Sequence, residues 1–153
     1  VTGCDVSGGP NNGRIYVNWA DQRNGPQDTD IFIAYSDDQG ATWSSPIRVN
    51  DDGAGAQQFL TWMSVDPITG HIYIVFYDRR NHSGDTTDVY MASSTDGSVT
   101  WTNERISEKS FTPVGGVFFG DYNNISAVDG IVRPIWTRQD GRETSIWTAI
   151  INK

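Results

Sequence analysis

One eight-residue pattern occurs twice and limits what this chain can fold into. Ser36-Asp37-Asp38-Gln39-Gly40-Ala41-Thr42-Trp43 returns 58 residues later as Ser94-Thr95-Asp96-Gly97-Ser98-Val99-Thr100-Trp101, with Ser, Asp, Thr and Trp in the same places. The likeness extends upstream. Gly13 to Arg23 lines up with Gly70 to Arg80, and Asp30 to Tyr35 with Asp88 to Ser93. A third, weaker copy runs from Gly130 to Asp140 and from Ser145 to Ile150, without an octet. A chain that repeats at this period stacks copies of one supersecondary unit.

Each unit reads as short strands. Ile15, Val17 and Trp19 alternate with more polar neighbours, as do Ile72, Ile74 and Phe76, the period-2 pattern of a strand with one better-buried face. Runs rich in Gly, Asn and Asp separate them, and no stretch of helical length shows a 3.6-residue period. The predicted strands are 1–7, 14–21, 29–36 and 43–50 in the first copy, and 59–66, 71–78, 87–94 and 101–107 in the second. The third offers only 117–128, 131–138 and 145–151. An all-β fold of about three four-stranded antiparallel units, the last incomplete, suits a β-propeller; a tandem sandwich is the competitor. The whole of 1–153 is then one partial propeller, with blades at about 1–50, 59–107 and 117–153.

In physical terms the octet is a tight hairpin connection. The Asp carboxylate accepts turn N–H groups, Gly40 supplies a positive φ, and Trp43 packs a large ring under the loop. In the second copy the glycine sits one place early and Ser98 takes the Gly40 position, which is expected to alter the turn slightly, at a cost of about 1 kcal/mol if Ser98 must adopt a positive φ.

The octet resembles the Asp box (S-x-D-x-G-x-T-W) of the bacterial neuraminidase, or BNR, repeat of sialidases and related propellers. The first copy fits every specified position and the second all but the glycine. The strands before each box, and Phe119-Gly120-Asp121-Tyr122, also look like secreted BNR-repeat proteins. The resemblance implies a box between the third and fourth strands of a blade, remote from any active site. It therefore gives Ser36, Asp38, Gly40, Thr42 and Trp43, with Ser94, Asp96, Thr100 and Trp101, a structural role. The family's sialidases have six blades, so these three would be half a ring, completed by blades from the same longer chain or by a second copy. The absence of an initiating Met or leader pattern fits a mature product or an excised piece.

The family's sialidases use three arginines, a Tyr–Glu nucleophile pair and an Asp acid/base. Their R-I-P element has no match here, Arg133-Pro134 lying mid-strand, so no catalytic residue carries over by motif. The most regular polar feature is a charge pair two residues apart at the end of each second strand: Asp21/Arg23, Asp78/Arg80 and, reversed, Arg138/Asp140. Residues i and i+2 share a face, so a structural ion pair is expected. The competing reading is a carbohydrate- or carboxylate-binding rim of Arg23, Arg79, Arg80 and Arg138. Asp28 and Asp30, like Asp85 and Asp88, could offer oxygens to calcium, but their spacing matches no complete calcium loop. No other cofactor is implied. Asp121 as acid and Tyr122 as stacking or nucleophilic group are the catalytic candidates, beside the plainer reading of Tyr122 as packing.

Composition narrows the partners. With 11 Lys plus Arg against 19 Asp plus Glu the net charge is −8, which repels nucleic-acid phosphates and anionic lipid surfaces. The longest apolar run, Ile72 to Tyr77, is far short of the roughly 20 residues that span a bilayer. The one cysteine, Cys4, has no partner within the sequence for a disulfide. The leading expectation is a secreted or cell-surface BNR-repeat module that interacts with glycans or scaffolds without a complete active site. A fragment of a sialidase-like glycoside hydrolase is the alternative, and a protein-binding propeller the second. Whether the chain is part of an enzyme stays open at this point.

Overall fold

The computed structural model describes all residues, 1–153, and every regular element is a strand. The first blade is β1 (Thr2–Cys4), β2 (Ile15–Asp21), β3 (Asp30–Ser36) and β4 (Ile47–Arg48). The second is β5 (Gln58–Val65), β6 (Ile72–Asp78), β7 (Asp88–Ser94) and β8 (Thr102–Arg105). Both are antiparallel meanders whose spatial order follows the sequence. The third sheet is built from β9 (Asn124–Val128), β10 (Ile131–Asp140), β11 (Glu143–Thr148) and β12 (Ile151–Asn152). These are propeller blades, as the repeat predicts.

The third blade has four strand segments but only three strand positions. Partner offsets along β10 are unchanged from Trp136↔Trp147 to Val132↔Ile151, so β12 continues β11 on the same edge. The interruption at Ala149 and Ile150 falls opposite Pro134, which has no N–H to donate. Arg133 fills part of the gap, its Nη1 donating to the carbonyls of Val132 and Ile151. Pro134 thus opens the ladder without changing the register.

The outer strands are shorter than the sequence predicts, 47–48 in place of 43–50 and 102–105 in place of 101–107. Box residues occupy the entry to each, and Pro46 removes a donor from the first. The inner strand expected over 117–128 starts at Asn124, after the backbone turns at Gly120 (φ 112°).

Blade 2 lies between the other two, and β6 divides its side chains between two cores. Ile72, Ile74 and Phe76 join Tyr16, Ile31, Ile33 and Met63 against blade 1. Tyr73, Val75 and Tyr77 join Ile125, Val132 and Trp136 against blade 3. All six are at most 1% exposed, and full burial of a large apolar side chain contributes about 1.5–3 kcal/mol. This one strand therefore ties three sheets together.

The same alternation reads differently in blade 1. The sequence puts the better-buried face of β2 on Ile15, Val17 and Trp19, yet Tyr16 and Asn18 are the buried pair. The reason is position. Ile15, Val17 and Trp19 correspond to Ile72, Ile74 and Phe76, whose face meets a preceding blade, and blade 1 has no preceding blade here. Trp43 follows the same rule: it is 45% exposed, whereas Trp101 packs against the core between blades 1 and 2. On blade 3 the opposite face is open, with Ile146 68% and Ile150 75% exposed.

Both boxes close as the octet predicts. Asp38 accepts from the Thr42 N–H at 2.8 Å and the Thr42 hydroxyl at 2.5 Å, and Asp96 does the same with Thr100 at 2.9 and 2.5 Å. The Ser36 and Ser94 hydroxyls donate to these carboxylates and accept from the Gly40 and Ser98 N–H groups. Gln39 and Gly40 have φ of 62° and 90°; Gly97 and Ser98 have 73° and 78°. Each box needs two consecutive positive φ values, and the glycine simply serves a different one of them.

Candidate functional site

The meander order places each box at one end of its blade and the loops β2–β3 and β6–β7 at the other. The connection from β4 to β5 crosses between those two loops. Together they enclose a cleft of about 360 Å³ bordered by Gln27, Gln57, Arg79, His82, Ser83 and Asp85, within the usual range of about 300–1,000 Å³ for small-molecule sites. A shallower depression of about 240 Å³ shares Gly55, Ala56, Arg79 and His82, extending it past Asp52. The run Gly53-Ala54-Gly55-Ala56 keeps this wall low, and the Gly55 N–H is fixed by Asp28 at 2.8 Å.

The side chains are held from beneath by buried polar groups. Gln58 and Asp78, both 0% exposed, face each other at 3.2 Å, and Asn50 bridges Asp30, Asp52 and Gln58 at 2.7, 2.6 and 2.9 Å. Asp30 and Asp52 pair with Arg48 at 2.6 and 3.1 Å. The network joins blade 1 to blade 2. Burial pushes the Asp78 carboxyl above the usual carboxylate range, against the opposing pull of Arg80.

Arg79 is fixed from three sides: by Gln57 Oε1 at 2.7 Å, by Asp85 at 2.9 Å and by the Phe59 ring beneath it, 5.0 Å away. His82 Nε2 lies 3.1 Å from the buried Asp88 carboxylate and 3.1 Å from Ser110 Oγ. Ser110 donates its own proton to Asp88 at 2.8 Å. A carboxylate only accepts, so Nε2 carries the hydrogen, and Nδ1 has no partner in the chain.

The three charge pairs form at the strand ends: Arg23–Asp21 at 2.6 Å and Arg80–Asp78 at 2.8 Å in the turns just past β2 and β6, where the arginine N–H also bonds the carboxylate, and Arg138–Asp140 at 2.6 Å within β10. Asp21 is held well below the usual carboxylate range, chiefly by Arg23 and then by the Trp19 N–H. The four candidate arginines do not gather into one rim. Only Arg79 and Arg80 share the cleft region; Arg23 lies on Phe32 of blade 1 at 4.2 Å and Arg138 on Trp147 of blade 3 at 3.7 Å.

The four calcium candidates likewise separate. Asp28 holds Gly55, Asp30 pairs with Arg48, Asp85 with Arg79 and Asp88 with Arg105, and no three acidic, His or Cys side chains converge on one point. Asp121 and Tyr122 lie outside the cleft, ahead of β9. Tyr122 is 74% exposed with its ring edge toward Trp62. Gln27, Gln57, His82 and Ser83 were not singled out as binding residues by the sequence. Their one local signal is the small-residue run that ends in Gln57-Gln58.

No family model and no curated protein matches the chain. Solved structures do. A Hadza microbial sialidase superposes with a TM-score of 0.64 at 16% identity over 89% of this chain and 32% of its own. A Penicillium chrysogenum α-L-arabinanase, solved with arabinobiose, gives 0.70 at 19% over 94% and 43%. A family 117 glycoside hydrolase of Zobellia galactanivorans gives 0.54 at 16% over 91% and 48%. At these identities the likeness establishes the fold. The chain spans a third to a half of the length of these proteins.

Proposed function

We propose that this chain is part of a carbohydrate-interacting propeller, secreted or displayed at the cell surface, whose glycan lies in the cleft between the β2–β3 and β6–β7 loops. The observation that carries the reading is the cleft itself. It sits on the face opposite the boxes and presents hydrogen-bonding groups that the protein leaves unused. The resemblance in fold to a sialidase, an arabinanase and a glycoside hydrolase supports a sugar as the ligand, although fold alone does not choose a function.

Binding or scaffolding fits these residues better than turnover by them alone. A glycosidase commonly brings two carboxyl groups to within about 5–9.5 Å across one glycosidic bond. Asp85 is the exposed carboxylate of the cleft, while Asp52 at its border is 5% exposed and held by Arg48 and Asn50. The second reading, a sialidase-like hydrolase with the rest of its site on other blades, keeps Asp121 and Tyr122 as acid and ring. The open position of Tyr122 near the inner strands favours it.

Completion of the ring belongs to the same proposal. Faces that are buried in blade 2 are open at their equivalents in blades 1 and 3, so each end fits a further blade, from the same longer chain or from a second copy. Titrating the ¹⁵N-labelled chain with a polysaccharide library tests the cleft. Shifts confined to 53–57 and 79–85 are expected; shifts at the boxes, or none, would remove the reading.

A further inference from the structure

We infer that the cleft selects uncharged glycans and rejects sugars bearing carboxylate or sulfate groups, an inference that rests on the carbohydrate reading above. Anionic sugars are recognised by guanidinium forks left free to receive them. Here most of the fork positions are occupied: Arg48 and Arg80 each meet two or more carboxylates, while Arg79 sets Nη1 on Gln57 and Asp85 and Nε near Thr87, with Nη2 unpartnered. Three arginines around the cleft, Arg48, Arg79 and Arg80, meet five aspartates in ion pairs: Asp30, Asp51, Asp52, Asp78 and Asp85. The local balance is negative, and an incoming anion would have to displace a partner that cannot diffuse away.

The groups left over have the opposite preference. Asp85 uses one carboxylate oxygen on Arg79, leaving the other free; His82 Nδ1 and the Ser83 hydroxyl have no partner in the chain; Gln57 Nε2 makes only a 3.4 Å contact with Gln27. The cleft therefore offers several acceptors beside neutral amide donors and one guanidinium nitrogen, Arg79 Nη2, whose charge Asp85 offsets. A sugar hydroxyl, which both donates and accepts, satisfies both kinds. A carboxylate accepts only, and would face the free Asp85 oxygen at short range. The tautomer fixed by Asp88 leaves Nδ1 as the acceptor of the neutral His82 ring at the border of the cleft.

The test is a binding screen of the chain against neutral pentose- and hexose-based oligosaccharides and their sialylated, uronic and sulfated counterparts, at low and high salt. Neutral sugars are expected to bind with little salt dependence, and their anionic counterparts at least about tenfold more weakly. Asp85→Asn frees Arg79 and is expected to raise affinity for the anionic set by about tenfold, with a new salt dependence. Anionic sugars binding the wild-type chain more tightly, weakening as salt rises, would overturn the selectivity and leave the glycan site standing. No sugar of either kind shifting residues 53–57 or 79–85 would overturn both.

Discussion

Replacing Ser98 by Gly is expected to stabilise the protein. Ser98 is a fully buried, non-glycine residue at φ 78°, and its hydroxyl has no hydrogen-bond partner. A left-handed conformation costs an L-residue about 1–2 kcal/mol, and a buried unsatisfied hydroxyl about 1–3 kcal/mol. Against this stand the extra unfolded-state freedom of glycine, about 0.5–1 kcal/mol, and the lost packing of Cβ and Oγ. The net expectation is a gain of about 1–2 kcal/mol, or a rise in Tm of about 2–8 °C for a chain of this size. Urea titration with a parallel thermal scan reads it directly. Two companions separate the causes. Ser98→Ala removes the hydroxyl but keeps the strained Cβ, so it should gain less than Ser98→Gly. Gly40→Ser places a side chain at the equivalent φ of 90° and should destabilise. Ser98→Gly leaving the midpoint unchanged or lowering it would refute the assignment of strain to this turn.

Other consequences are open to measurement. Hydrogen bonds from Thr42 and Thr100 hold Asp38 and Asp96 down at about 2. Because these values are depressed, the stabilisation is complete above the ordinary carboxylate value near 4 and fades as pH falls toward 2. Carboxyl titration by NMR with both midpoints near 4 would contradict the box geometry. Arg80→Met leaves the buried Asp78 without its charge partner, and a loss of about 3–5 kcal/mol in urea unfolding is expected; less than about 1 kcal/mol would show that the pair is surface-like in energy. Pro134→Val supplies the missing N–H, and hydrogen exchange should show this new amide protected and bonded toward Ala149, joining β11 to β12. Fast exchange of the introduced amide would mean that something other than proline opens that ladder.

The boxes show why part of the fold was legible. A turn is a local object, and Ser, Asp, Gly, Thr and Trp within eight residues are enough to fix its hydrogen bonds; that Ser98 itself takes the positive φ is decided in the structure. Strand existence was legible for the same reason. Strand ends were less so: 43–50 narrowed to 47–48 because Pro46 lacks an N–H and the Ser44 and Asn50 side chains take the N–H groups of Tyr35 and Ile31 that a continued ladder would use. Arg23, Arg80 and Arg138 were legible as ion pairs from their two-residue spacing to an aspartate, although only Arg138 pairs along a strand face; the other two pair in a turn where the aspartate also takes the arginine N–H. The grouping of the candidate arginines was not legible. Arg79 reaches Gln57, just ahead of the neighbouring inner strand of blade 2, and Arg138 turns onto Trp147, both decided by contacts between paired strands rather than by neighbours in sequence.

The sequence by itself determined the repeat, the blade-forming units and the turns, because each depends on neighbours within a few residues. Only the tertiary structure decided which face of each strand is buried. Ile15 and Ile72 occupy equivalent positions in corresponding strands, yet one lies on an open sheet face and the other is sealed between two sheets. Burial is a property of what packs against a residue, and the cleft, formed where the loops of two blades and their connection meet, arises from the same long-range packing.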